Sequence, residues 1–223
     1  MNLYRKITKS LMLSGCLFSS ASYAASNQVI VFVWDGLRPD SITQQATPNL
    51  YQLAHSGSYF SDNHSSFPTF TMMNAASFAT GDFAGKTGFY GNTLWNNKAK
   101  GNNSAGKPVD FQQPVFTEDY QVLTDLNKEE PLTEVFTLFE QAHKKGLITA
   151  AVGKSGAAYL QDYHEQGIIF DEKMVYPQSF ADYLKSINYP FCTVKALLDI
   201  IRQFLSQEFY TDIITFDLSD SVE

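Results

Sequence analysis

Cysteine is nearly absent from this chain of 223 residues, which holds only Cys16 and Cys192. Cys16 lies in an N-terminal stretch that reads as removable, so Cys192 would be left with no internal partner. That excludes a disulfide framework as the source of stability. Cys192, after Pro190 and Phe191, is expected to act as a small buried hydrophobe. Long apolar runs are also missing. The early stretch Leu11 to Phe18 is too short to span a bilayer as a stable anchor. Charged residues make up only 17% of the chain, and the formal net charge is −7. With no basic footprint, binding to the backbone of duplex nucleic acid is disfavoured. The sequence shows no internal repeat, low-complexity tract or internal domain boundary.

What is present suffices for one buried core, since 44% of residues are hydrophobic. At the start, Arg5, Lys6 and Lys9 precede the apolar stretch, and Ser22-Tyr23-Ala24 supplies a small-x-small pattern. Residues 1–24 therefore read as a signal peptide for export to the periplasm or the medium. A buried N-terminal helix is the plain alternative. Leu13-Ser14-Gly15-Cys16 also matches a lipoprotein box, ranked second because few apolar residues precede that cysteine. Cleavage would remove three cations and no acid, leaving −10 on residues 25–223. Such an acidic surface suits a protein that holds divalent cations.

Gln28 to Trp34 is a valine-rich apolar run, read as a central strand covered on both faces. Asp35-Gly36 closes it at the carboxyl edge, where open parallel sheets place their sites. Thr47 and Pro48 open a helix with Leu50, Leu53 and Ala54 facing inward and Gly57 ending it. Tyr59-Phe60-Ser61 reads as a short strand. Thr71 to Thr80 reads as a helix, with Met72, Ala75, Ala76 and Ala79 at helical spacing and Gly81 as its stop. Residues 91–130, and 93–130 in particular, are rich in Asn, Gly, Gln, Lys and Pro and read as a surface insertion covering a site. Leu132 to Lys145 reads as an amphipathic helix and Leu147 to Val152 as a buried strand. Helices over Phe180 to Ile187 and Val194 to Phe209 and a strand over Asp212 to Leu218 follow. This alternation implies α/β, with a mostly parallel sheet and helices on both faces.

Three residues have chemistry to offer. A carboxylate ending a buried strand, Asp35, is costly unless it is paired or bound to metal, although Asp-Gly is also a common turn pair. Thr71 sits at a helix start, where N–H groups and the helix dipole favour an anion. A capping threonine would sit there too, and its hydroxyl is a weak nucleophile until a metal or base takes the proton. Asn92, after Gly91, could donate to a phosphoryl oxygen as charge builds, or be an ordinary turn residue.

Order and spacing tie these together. Trp34-Asp35-Gly36-Leu37-Arg38, Thr47-Pro48-Asn49-Leu50, Phe67-Pro68-Thr69-Phe70-Thr71-Met72-Met73-Asn74 and Gly91-Asn92-Thr93-Leu94 resemble the alkaline phosphatase superfamily. The likeness is to its nucleotide pyrophosphatase/phosphodiesterase branch, closely from Val29 to Trp95 and loosely beyond. It implies an alkaline-phosphatase-like fold and a small phosphodiester or nucleotide-like substrate. It further implies two divalent metal ions, zinc by analogy, with Asp35 binding one of them. Thr71 would bridge toward the metals as nucleophile and form a phospho-threonine, and Asn92 would hold the phosphoryl group. A phosphomonoesterase or phosphonate hydrolase on the same scaffold is an alternative, as is a truncated relative without turnover. No Cys/Ser-x-Pro-x-Arg segment occurs, which sets the sulfatases aside.

Departures from the pattern matter as well. Met72 and Met73 stand where the family has phenylalanine and proline. His55, His64, His143 and His164 match neither the later Asp-x-x-x-His nor the Asp-His of the family's metal centre. His55 and His143 read as surface residues; His64 and His164, each two residues after an aspartate, are weak ligand candidates. The segment from Leu218 to Glu223 resembles the start of a Ser/Asn-Pro-Asp-x-Thr-Glu-His motif, which would make Asp220 a ligand of the other metal. A frayed polar tail fits equally well. The expectation is an N-terminal part of a longer enzyme, C-terminally incomplete and weakly active or inactive by itself.

Overall fold

The computed structural model describes residues 28–171 and 173–189, together with the backbone of 213–217. In chain order the elements are β1 (Val29–Val33), α1 (Pro48–Ser56), α2 (Thr71–Thr80), the one-turn α3 (Ala84–Thr87), β2 (Thr93–Leu94) and β3 (Val115–Phe116). There follow α4 (Tyr120–Glu129), α5 (Leu138–Lys144), β4 (Thr149–Gly153), α6 (Ser155–Gln161), β5 (Ile168–Phe170), β6 (Val175–Tyr176), α7 (Gln178–Ser186) and β7 (Ile213–Asp217). Residues 1–27, Cys192, the expected helix over 194–209 and Asp220 lie outside the described residues.

The main sheet has the order β1-β7-β4-β5-β6. The first four strands run parallel and β6 returns antiparallel to β5. Side chains of β4 alternate between two layers, as the period of a strand requires. Ala150 and Val152 pack with Leu184 of α7. Ala151 packs on the other face with Phe139 and Ala142 of α5 and Ala158 of α6. Helices thus cover both faces, as the alternation implied.

Several readings are corrected. β1 is at the sheet's edge among the described residues, not central, and Phe32 is 41% and Val29 53% exposed. An apolar run reports covered faces but not lateral position in a sheet. Helix α1 begins and ends as expected, yet it buries no residue and Leu53 is 64% exposed. Thr47 also gives no side-chain cap; its hydroxyl joins Thr43 and Ser41 in the preceding turn. Tyr59 to Ser61 forms no strand. The helix expected from Leu132 starts only at Leu138, because Thr137 and Glu140 form a reciprocal capping box. The 93–130 segment is more than a surface insertion: Phe111, Val115, Val122, Leu123 and Leu126 join the main core.

Candidate active site

The site grows from the carboxyl edge of the sheet. After β1, Leu37 N–H returns to Trp34 O at 3.2 Å, and Gly36 takes φ +81°, a conformation that side chains disfavour. That turn holds Asp35 beyond the strand end. Helix α2 opens opposite it. Its N-cap is Phe70, in extended conformation and without a side-chain cap. Thr71 is therefore the first helical residue and not the cap, which leaves its hydroxyl free for another partner. Thr71 Oγ1 donates to Asp35 Oδ2 at 3.2 Å, across 36 residues of sequence.

Asn92 supplies the missing cap from outside the helix. Its Oδ1 accepts Met72 N–H at 3.0 Å, meeting one of the unpaired donors that every helix start leaves. Its Nδ2 donates to Glu118 Oε1 at 3.0 Å. Glu118 Oε2 lies 3.5 Å from Lys154 Nζ, at the end of β4. Asn74 latches the loop before Thr71: it accepts from Ser66 N–H and donates to the carbonyls of Ser66 and Phe70. Asp35, Thr71 and Asn92 converge, with α2 as the common frame.

Glu118, Lys154 and Asn74 were not singled out by sequence. Lys154 follows an apolar strand, so the sheet-edge rule used for Asp35 would have reached it. Glu118 carries no motif. Asn74 was visible in the segment, but its role is to hold a loop.

The metal question turns on donors. Asp35 and Thr71 offer oxygen atoms at the site, and among the described residues no cluster of three or more His, Cys, Asp or Glu is placed to hold a metal. The described residues thus do not by themselves fit a two-metal centre. The histidines lie apart. His64 pairs with Asp62 at 2.7 Å, both well exposed. His164 lies 3.3 Å from Glu140. His55 is exposed, as expected, with Nδ1 2.7 Å from Tyr51 O. His143 is not the solvated residue expected. Its side chain is 15% exposed, with Nε2 2.9 Å from Thr149 Oγ1 and 3.7 Å from Asp162.

Met72, where the family pattern has an aromatic, is fully buried in the main core. It offers no face to a substrate. Exposed aromatics adjoin the site residues in sequence: Trp34 before Asp35, Phe70 before Thr71 and Tyr90 near Asn92.

Against known proteins, residues 29–215 match the family described as type I phosphodiesterase / nucleotide pyrophosphatase. No curated protein matches the chain. Among solved structures, it is similar to phosphonoacetate hydrolase from Sinorhizobium meliloti 1021, in complex with phosphonoacetate. The TM-score is 0.55 at 19% identity, over 86% of this chain and 46% of that one. The chain thus spans less than half the length of that relative, and the likeness speaks for the fold.

Proposed function

Since this chain belongs to the type I phosphodiesterase / nucleotide pyrophosphatase family, we propose that it carries the nucleophile-bearing part of a hydrolase of phosphodiester or pyrophosphate bonds. The observation that carries this reading is the contact between Thr71 Oγ1 and Asp35 at the start of α2. In the proposed reaction Thr71 Oγ forms a bond to phosphorus. The bond from phosphorus to the leaving oxygen breaks, and that oxygen takes up a proton. Water then cleaves the phospho-threonine, restoring the hydroxyl and releasing the phosphoryl group.

The residues present supply part of this. Asp35 orients the hydroxyl. It does not hold its proton alone, because a carboxylate is a far weaker base than an alkoxide. The start of α2 favours the anionic phosphoryl group, and the Asn92 amide meets developing charge on a non-bridging oxygen. Two divalent ions, zinc by family resemblance, are proposed for the whole enzyme, with Asp35, Thr71 and Asp220 among their ligands. The test is hydrolysis of bis-p-nitrophenyl phosphate by an active form. T71A should remove turnover and the acid-trapped phospho-threonine together. A T71A variant at wild-type rate would sink the reading.

A second reading, a phosphonate hydrolase on this scaffold, is favoured by one observation. Met72 is buried, so the position after the nucleophile cannot stack a nucleobase. Relative rates on mono-, diester and phosphonate substrates decide between the two. We also propose export with removal of residues 1–24. N-terminal sequencing of the mature protein should begin at Ala25, and a retained Met1 would refute it.

A further inference from the structure

The β2–β3 ribbon pairs Thr93 with Phe116 and Leu94 with Val115. Asn92 therefore stands opposite Thr117, with Glu118 next to it. The Thr117 N–H and hydroxyl both donate to Asn92 O at 2.9 Å. Glu118 O accepts Gly156 N–H at 2.7 Å, and a Cβ on Gly156 would lie 2.2 Å from Thr117 O. The first turn of α6 thus pins this backbone at van der Waals contact, and only glycine permits it.

On that fixed backbone, the side chains leave little choice. A carboxylate only accepts and a helix N–H only donates. The Asn92 oxygen therefore faces Met72 N–H and its NH₂ faces Glu118. One amide proton is used on Glu118; the other has no acceptor among the described residues, and Thr71 adjoins Met72. The Glu118 and Lys154 side chains are only 18% and 16% exposed. Lys154 offsets the carboxylate charge, so Glu118 can sit near the site without repelling an anion.

We infer that Glu118 is a positioning residue: it fixes the Asn92 carboxamide so that its second amide proton is offered to a phosphoryl oxygen on Thr71. This rests on the hydrolase reading above. Without Glu118 the carboxamide swings on a single bond to α2, and a misplaced donor costs rate more than binding.

The experiment has two arms, the first on the 223-residue chain. In it, ¹⁵N-asparagine labelling follows exchange of the Asn92 side-chain protons, assigned by their loss in N92A. One proton should exchange slowly in wild type and E118Q, and about tenfold faster in E118A. Protection of Gly156 N–H, unchanged, shows that the fold survives. Equal exchange in E118A and wild type overturns the inference. In the second arm, in a form that turns over bis-p-nitrophenyl phosphate, E118A should lower kcat about tenfold at unchanged KM. E118Q should restore most of the loss, and E118A should add nothing in an N92A background. Multiplying losses in the double variant would overturn positioning. A rate untouched by T71A strikes the hydrolase reading instead, and the exchange arm then decides the Asn92–Glu118 link alone.

Discussion

Asp119 organises more of its surroundings than any residue of the site. It caps α4, accepting from Gln121 and Val122 N–H at 2.9 and 3.3 Å. It also accepts from the Ser104 N–H and hydroxyl, which ties the long connection between β2 and β3 to the helix. Burial pushes its carboxyl up, but the bonds from Ser104, Val122 and Gln121 outweigh that and hold it below 3.8. A depressed folded value means stability that is complete above about pH 3.8 and lost as pH falls through the folded value. D119N should therefore lower Tm at pH 7, and the gap to wild type should close below about pH 3.8. Asp162 has the opposite sign. Burial raises its pKa despite bonds from Gly167 and Gln166 N–H and its nearness to His143 and His164, so its ionisation costs stability as pH rises. The difference between variant and wild type is thus the informative curve, and a gap constant from pH 7 to 3 would contradict the argument. At this scale Asp35 and Thr71 were legible because each belongs to a motif with a fixed place on an element. Glu118 was not, since its meaning comes from a neighbour 26 residues away.

Elements were legible where a stop or start is local. Gly81, at φ +74°, ends α2 with its N–H on Ser77 O, as its place after Thr80 implies. The start of α5 was missed for an equally local reason. Leu132 continues the apolar spacing, but Thr137 and Glu140 exchange bonds that fix the first turn later. Both lie in the packed interior, where these groups have little access to water. T137A should cost about 1 to 2 kcal/mol, read as a lower denaturant midpoint, with T137S recovering most of it. Equal loss in both variants would mean that the threonine methyl, not the cap, matters there. Helix α4 escaped sequence reading because polar residues of low helix propensity surround it. Its face of Val122, Leu123 and Leu126 becomes evident only once the core is assembled.

For the whole molecule, the alternation of strands and helices gave the class, while sheet order depends on pairings between segments remote in sequence. β1 illustrates the gap: its composition is that of a covered strand, yet among the described residues it pairs on one side only, with β7. Function has the same dependence on scale. The site collects the Thr71 hydroxyl, the Asp35 carboxylate and the Asn92 carboxamide, all from residues 35–92. Tight binding of two divalent ions needs several carboxylate or imidazole ligands, and the described residues place no such cluster. All four histidines of the chain have partners away from Asp35 and Thr71, so the 223-residue chain is expected to take up zinc only weakly by titration calorimetry and to show little zinc-dependent turnover of bis-p-nitrophenyl phosphate. A form that includes the family's later Asp-x-x-x-His and Asp-His ligands should gain both properties together. On the proposed reading Asp35 alone does not activate Thr71, so metal uptake and turnover should rise in step. Robust turnover by the 223-residue chain, unaffected by chelator, would instead require a base for Thr71 other than Asp35, and would separate this protein's chemistry from its family's.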